Sequence, residues 1–175
     1  MELIFLQKIY IRKLLACALA GSFLFSSCLK KDSGCSFTVD NAVAPQAEQQ
    51  ELKAYLDSAG ITGVTKDNRG FFYTITSAGS GDTAKPCSQI TVSYKGWLSN
   101  GKLFDQEGSA VFTSLGNLID GWRQGIPLIR KGGSIKLYIP PSLGYGAKGV
   151  PDNNGNTIVP PNSITIFEIS LISVQ

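Results

Sequence analysis

The sequence predicts an α+β domain in which an antiparallel β-sheet folds over a short α-helix. From Gly70 to the C-terminus, apolar residues recur with a period near two, as in half-buried strands. Residues 119–128, around Trp122, depart from this pattern and favour a short helix. Turn-forming residues separate the apolar runs, as hairpin connections require. Many strands combined with one helix are typical of an α+β arrangement.

The strand pattern is clearest where Ile90, Val92 and Tyr94 alternate with polar residues. These three side chains are expected to share one face of a strand. The other predicted strands are Phe71–Thr76, Leu103–Phe104, Val111–Phe112, Ile135–Ile139 and Ile164–Val174.

A helix is predicted before the sheet, from Pro45 to Ala59, with Gly60 as its C-terminal cap. Its apolar residues fall on roughly one face, and they are Leu52, Tyr55, Leu56 and Ala59. This face can pack against the helix's own domain, or it can pair two copies of the chain. A monomer and a dimer are therefore both compatible with the sequence.

Charge and composition exclude several classes of function. The formal charge is +3, but the first 27 residues hold three of the 16 basic and one of the 13 acidic residues, which leaves +1 for the rest. This charge is too small for a nucleic-acid-binding surface. The chain has no histidine, which removes Ser-His-Asp and Cys-His nucleophile systems and the usual general base near neutral pH. No metal site and no cofactor are predicted.

The N-terminus has the features of an export signal. Three basic residues, Lys8, Arg12 and Lys13, precede an uncharged apolar run from Leu14 to Phe25. A run of this length is too short to span a bilayer comfortably. Residues 1–27 are therefore predicted to be a signal peptide.

The end of this signal resembles a bacterial lipobox, Leu24-Phe25-Ser26-Ser27-Cys28. The resemblance implies that Cys28 is acylated. The polar residues that follow it suit a spacer between a lipid and a folded domain, so residues 28–44 are predicted to be a tether. Phe25 departs from the small aliphatic residue usual at its position. The alternative is an uncleaved anchor with Cys28 as an ordinary thiol. Both alternatives place the domain on a bacterial cell envelope, facing the periplasm or the cell surface.

Of the four cysteines, Cys17 lies in the signal and Cys28 at its end, which leaves Cys35 and Cys87. An even pair in an oxidising compartment favours a disulfide. Two unrelated thiols are the alternative.

Four separated segments of the strand-rich region are unusual together: Val92–Gly96, Gly101–Asp105, Leu118–Trp122, and Tyr145–Ala147 together with Ile158–Pro161 and Phe167. In their order and spacing they resemble the FKBP-type peptidyl-prolyl isomerases. The resemblance covers residues 70–175 and leaves 45–69 as an N-terminal helical extension. It implies a five- or six-stranded antiparallel sheet wrapped around the Trp122 helix.

The resemblance also implies an apolar pocket between the helix and the sheet. Trp122 would form its floor. Tyr94, Phe104, Phe167, Leu118 and Ile119 would form its walls, and Val111 or Phe112 its rim. Asp105 would lie at the edge, Tyr145 would offer its hydroxyl, and the Ile119 N–H would hold a substrate carbonyl. Ile158 is expected among the residues that bind substrate.

Prolyl isomerisation suits a chain with this composition. Rotation about an X-Pro bond crosses a barrier of about 18–20 kcal/mol because it breaks amide resonance, but it makes and breaks no covalent bond. The twisted amide has lost charge separation, so a dry aromatic pocket favours it over the planar form. A thousandfold acceleration needs about 4 kcal/mol. The absence of histidine is therefore compatible with catalysis.

One segment departs from the compact members of the family. The loop of residues 146–157 is longer, and its glycines and asparagines favour a mobile hairpin tip. This loop could influence substrate choice beyond proline, or it could be a tolerated surface insertion.

The predicted function is therefore isomerisation of X-Pro bonds in exported proteins by non-covalent stabilisation of a twisted amide. The expected partners are proline-containing polypeptides, macrolide-type inhibitors and, through the lipid anchor, a membrane. Two alternatives are a catalytically weak chaperone or interaction module with this fold, and a membrane-tethered scaffold that dimerises through its N-terminal helix.

Overall fold

The computed structural model describes residues 35–152 and 154–175. The predicted signal peptide, the acylation at Cys28 and the tether residues 28–34 lie outside these residues. Cys35–Gln175 group into one compact unit. In the described part of the chain, no helix is both long enough and apolar enough to cross a membrane.

Within the described residues, the chain forms two α-helices, eight strands and three short 3₁₀ turns. The helices are α1 (Gln46–Ser58) and α2 (Asp120–Gly125). The strands are β1 (Thr65–Lys66), β2 (Phe72–Ser77), β3 (Ile90–Leu98), β4 (Leu103–Phe112), β5 (Ser134–Ile139), β6 (Val150–Pro151), β7 (Thr157–Val159) and β8 (Thr165–Val174). The 3₁₀ turns are Leu115–Asn117, Ile126–Leu128 and Pro141–Leu143.

Six of the described strands form an antiparallel sheet in the order β1-β2-β5-β8-β3-β4. The predicted fold class is confirmed: an antiparallel sheet with a short helix on it, preceded by an N-terminal helix. The two short segments predicted at residues 103–104 and 111–112 are the ends of one strand, β4. The polar residues between them gave no strand signal because this edge strand is exposed along most of its length.

Helix α2 lies against one face of the sheet with very little separation. A β-carbon on Gly121 would overlap Ile139, and one on Gly125 would overlap Leu137, so both glycines lie directly on β5. This contact places the Trp122 ring deep in the main core, with 4% of its surface exposed. The helix that carries the pocket floor is therefore fixed by close packing.

Helix α1 covers the opposite face of the sheet. Leu52 and Leu56 are buried in a second apolar cluster with Phe72, Tyr138 and Ile166. The apolar face of α1 is thus used within its own chain. Ala59, which the helical pattern placed on this face, is the exposed C-cap instead.

The end of α1 is a Schellman motif. Gly60 has φ of 66°, the Ile61 N–H donates to the Leu56 carbonyl at 2.9 Å, and the Gly60 N–H donates to the Asp57 carbonyl at 3.2 Å. The motif satisfies backbone carbonyls at the end of the helix and turns the chain towards β1.

Residues 35–44, hereafter the strap, pack on the domain. Cys35 is joined to Cys87 by a disulfide, and Ala44 is buried in the main core. The Ala44 N–H donates to the Arg69 carbonyl at 2.9 Å. These residues belong to the segment 28–44 that is predicted to be a tether, and in the structure a covalent bond and core contacts hold residues 35–44 on the domain.

Loss of the disulfide is expected to destabilise the domain. The bond spans a sequence separation of 52 residues, so replacing both Cys35 and Cys87 by serine should lower the free energy of unfolding by about 2–4 kcal/mol. Urea unfolding of the wild type with and without reductant checks this. The reductant should lower the wild-type midpoint to that of the double variant and leave the variant unchanged. Equal midpoints for all samples would contradict the expectation.

Candidate active site

A cavity of about 140 Å³ opens between α2 and the concave face of the sheet. Aromatic and aliphatic side chains make up most of its lining, and one carboxylate lies at its edge. The lining residues are Tyr94, Asp105, Phe112, Leu118, Ile119, Trp122, Tyr145 and Phe167. All eight belong to the predicted site. The structure therefore brings them together in one cavity from β3, β4, α2, β8 and the loops.

Trp122 forms the floor and is held by three aromatic neighbours. The centroid of its ring lies 5.1 Å from that of Tyr94, 5.2 Å from that of Phe167 and 5.9 Å from that of Phe112, and each pair is packed edge-to-face. Edge-to-face pairs set the positive edge of one ring against the negative face of another, which fixes the relative orientation of the rings. The three neighbouring rings therefore fix the orientation of the pocket floor.

Phe104 stands behind the lining residues. Its ring packs edge-to-face on Phe167 at 5.6 Å and on Tyr145 at 6.0 Å. A β-carbon on Gly96 would overlap both phenylalanine rings, so glycine at this position of β3 gives them the space they occupy. Phe104 therefore packs against two residues of the pocket wall but does not line the cavity itself. Its direct contact with substrate stays a prediction.

Asp105 and Tyr94 form a hydrogen-bonded pair at the rim. The Tyr94 hydroxyl donates to Oδ2 of Asp105 at 2.7 Å. Burial, followed by this hydrogen bond and the negative charge of Asp105, raises the pKa of Tyr94 well above its usual value. The tyrosine stays protonated and holds the carboxylate in one orientation, a contact between strands that sequence spacing did not predict.

Tyr145 follows the 3₁₀ turn Pro141–Leu143 and contributes its ring to the opposite wall. The Gly146 N–H donates to the Pro141 carbonyl at 2.8 Å, which closes the turn around this tyrosine. Burial, with a smaller effect from the charge of Asp105, raises the pKa of Tyr145 to about 12. Its hydroxyl remains a hydrogen-bond donor throughout the neutral and mildly alkaline range.

The raised pKa of Tyr145 predicts a particular alkaline titration. Because the folded-state pKa lies above the ordinary value of about 10, the stability that this tyrosine contributes is complete below pH 10 and is lost as pH rises towards 12. Ultraviolet titration of wild type and Tyr145→Phe should differ by one tyrosine that ionises near pH 12. If the tyrosine lost in Tyr145→Phe instead ionises near pH 10, the prediction is wrong.

Leu118 and Ile119 form the wall next to the start of α2. The preceding turn is capped by Ser114, whose Oγ accepts the Gly116 N–H at 3.2 Å and donates to the Pro86 carbonyl at 2.7 Å. The Ile119 carbonyl receives the first helical N–H groups of α2, from Trp122 and Arg123. Among the described residues, the Ile119 N–H has no acceptor, so it can bind a ligand carbonyl.

Two predicted site residues lie elsewhere. Val111 is 59% exposed and does not line the cavity, because adjacent residues of β4 point to opposite faces and Phe112 takes the inward position. Ile158 is half-buried in β7, where its neighbour Val159 is the buried one. Neither residue lines the cavity. Of the two alternatives for the rim, Phe112 takes that place, and contact of Ile158 with substrate stays a prediction.

The long loop contains the β6–β7 hairpin. Val150 pairs with Val159, and the turn is closed by Asp152, whose carboxylate accepts N–H groups from Asn154 and Asn156. A β-carbon on Gly149, at φ of 62°, would overlap the Val159 carbonyl.

In the described part of the chain, no group of three acidic, cysteine or histidine side chains is arranged to hold a metal ion.

Comparison with known proteins assigns the chain to a family. Residues 81–172 match the family described as FKBP-type peptidyl-prolyl cis-trans isomerase. The chain belongs to this family. An FKBP-type relative, FkpA of Escherichia coli, is 40% identical over 116 residues, which are 65% of this chain and 41% of FkpA. A peptidyl-prolyl cis-trans isomerase of Schizosaccharomyces pombe is 39% identical over 107 residues, 58% of this chain and 91% of that protein.

Solved structures agree with this FKBP-type assignment. The crystal structure of FkpA from Escherichia coli superposes with a TM-score of 0.63 at 36% identity, over 74% of this chain and 60% of that one. The chain spans about half the length of the bacterial relatives that it matches. The strap and α1 precede the residues that match the family.

Proposed function

We propose that this chain is a peptidyl-prolyl cis-trans isomerase that acts on proline-containing segments of exported proteins. The observation that carries the proposal is the aromatic pocket, which combines a Trp122 floor with a carboxylate at its rim that the Tyr94 hydroxyl holds. Membership of the FKBP-type family supports the same activity. The cavity of about 140 Å³ suits a proline ring, and the same pocket would accept macrolide-type inhibitors.

In the proposed mechanism, the proline ring lies on Trp122 and the carbonyl that precedes it lies near the rim. The Ile119 N–H, which has no acceptor among the described residues, would hold another substrate carbonyl. Such contacts fix the substrate while the X-Pro bond rotates. The Tyr145 hydroxyl is available as a further donor because its pKa is about 12.

Catalysis would come from the difference between planar and twisted amides. The planar amide carries partial negative charge on its oxygen, and this charge decreases when resonance is lost. A dry pocket solvates the planar form poorly, and the Asp105 carboxylate at the rim disfavours its negative oxygen. Both effects raise the free energy of the ground state relative to the transition state, which is the requirement for acceleration.

A protease-coupled assay with a proline-containing tetrapeptide tests this function. The isomerisation rate should rise in proportion to the concentration of the chain. If the wild type binds the peptide without accelerating isomerisation, the isomerase proposal is wrong and the domain is a binding module. If it neither binds nor accelerates, the pocket serves another ligand.

We also propose that the chain is exported and anchored by lipid at Cys28. The basic and apolar N-terminal residues and the lipobox-like sequence support export. The disulfide between Cys35 and Cys87 supports an oxidising compartment, because such bonds seldom persist in the bacterial cytosol. Mass spectrometry of the mature N-terminus tests the anchor, and an unmodified Cys28 would overturn it.

A further inference from the structure

The strap is an extended segment with two different faces. Asp40, Ala42 and Ala44 point towards the domain, while Val39 and Val43 are 70% and 60% exposed. The inward residues lie against the turn and helix that build one side of the pocket. The strap therefore contacts the site from behind although it precedes the residues that match the family.

The inward face of the strap contacts α2 through polar groups. The side chain of Asp40 is 8% exposed, and its Oδ2 lies 3.5 Å from Nε of Arg123 without a hydrogen bond. Burial, followed by the charge of Asp40, raises the pKa of the neighbouring Asp120 carboxyl, so Asp40 faces both a guanidinium and a second carboxyl group. Arg123 Nη1 also donates to Asp120 Oδ1 at 2.9 Å. Gln124 Nε2 donates to the Ala42 carbonyl at 2.8 Å. The strap thus contacts both residues that follow Trp122 along the helix.

The other end of the strap contacts the turn that precedes Leu118. A β-carbon on Gly116 would overlap the ring of Phe37, so this ring lies directly on the turn. From the other side, the Pro86 carbonyl accepts the Gly116 N–H at 2.8 Å, and the Ser88 carbonyl accepts the Leu115 N–H at 3.0 Å. The residue between Pro86 and Ser88 is Cys87, which the disulfide joins to the strap.

We propose that the strap is a positioning element of the pocket, in which Asp40 orients the Trp122 helix through Arg123 and Phe37 fixes the turn that carries Leu118 and Ile119. A buried carboxylate aimed at a guanidinium costs desolvation, so stability alone does not explain its presence here. Its charge instead restrains the rotation of a helix of six residues. The disulfide keeps the strap in register with the turn.

This inference rests on the proposed isomerase function, and kinetics of the full chain test it. Asp40→Asn and Phe37→Ala should each lower kcat/KM about three- to tenfold. Phe37→Leu keeps an apolar side chain on Gly116 and should retain most of the activity. In a Trp97→Phe background, the emission of Trp122 should shift in the first two variants and remain unchanged in Phe37→Leu.

Leu56→Ala is the matched control, because Leu56 is buried on the opposite face of the sheet and has no contact with the pocket. It should lower the thermal midpoint at least as much as Asp40→Asn does. At a temperature well below the midpoints of all the proteins, it should leave both kcat/KM and the Trp122 emission unchanged.

Two results would overturn the positioning role. The first is that Asp40→Asn and Phe37→Ala both keep the kcat/KM and the Trp122 emission of the wild type. The other is an equal loss of activity in Leu56→Ala, which would mean that destabilisation alone explains the effect. If the wild type shows no isomerase activity, the proposed function fails separately. The Trp122 emission and the Kd of a proline peptide then decide the role of the strap.

Discussion

Replacement of Trp122 by alanine is expected to lower kcat/KM for a proline-containing peptide at least about hundredfold. The ring is the floor of the cavity and the common neighbour of Tyr94, Phe112 and Phe167. Its removal leaves these rings without a shared contact, opens the pocket to water and weakens the preference for the twisted amide. The same change should reduce the free energy of unfolding by about 3–5 kcal/mol, since the side chain is buried.

The second tryptophan of the chain provides the control. Trp97 lies half-buried at the edge of the α1 cluster, near the Lys136 ammonium, and does not line the pocket. Trp97→Ala should keep the activity within about twofold. Trp122→Phe, which preserves an aromatic floor and a folded core, should retain more activity than Trp122→Ala. Wild-type kcat/KM in Trp122→Ala would exclude this pocket as the place of isomerisation.

The pocket residues were predicted from the resemblance of ordered motifs to the FKBP-type family, because an aromatic residue in a single strand is equally typical of a core. Tyr94 and Phe104 lie on adjacent strands, and Trp122 lies on the helix that packs over them. The order and spacing of the motifs thus carried information that no single motif carries.

The register of β4 against β3 was harder to predict than the apolar character of its residues. Val111 and Phe112 are equally apolar, and only the pairing of β4 with β3, which contains two irregularities, decides which one points inward. The same irregularities place Gly96 opposite Asp105 and Tyr94 opposite Glu107. The Tyr94–Asp105 hydrogen bond is therefore a diagonal contact between strands, and local sequence patterns do not specify such contacts.

The strap could not be placed by a local pattern either. It belongs to the segment predicted to be a tether, because the polar residues that follow Cys28 suit a spacer. Its position depends on the Cys35–Cys87 bond, on the ion pair of Asp40 with Arg123, and on the Phe37 ring that lies on Gly116. Each of these contacts joins residues more than 50 positions apart in sequence.

The charge of Asp105 is expected to account for about tenfold of the activity, which corresponds to about 1.4 kcal/mol. Asp105→Asn keeps the shape of the side chain and an oxygen that can accept from the Tyr94 hydroxyl, but it removes the charge. The planar amide is then no longer disfavoured at the rim, so the bound ground state is stabilised and both kcat and KM should fall. Asp105→Ala also releases the Tyr94 hydroxyl and should lose more.

Glu107 gives a matched control on the same strand, because it is an exposed carboxylate that accepts the N–H of its neighbour Gly108. Glu107→Gln should leave kcat/KM within about twofold. A double-mutant cycle of Tyr94→Phe and Asp105→Ala then tests the pair: if the hydroxyl acts only by holding the carboxylate, Tyr94→Phe should have no further effect once Asp105 is alanine. Additive losses would show that each side chain acts independently, and an unchanged kcat in Asp105→Asn would remove the carboxylate from the mechanism.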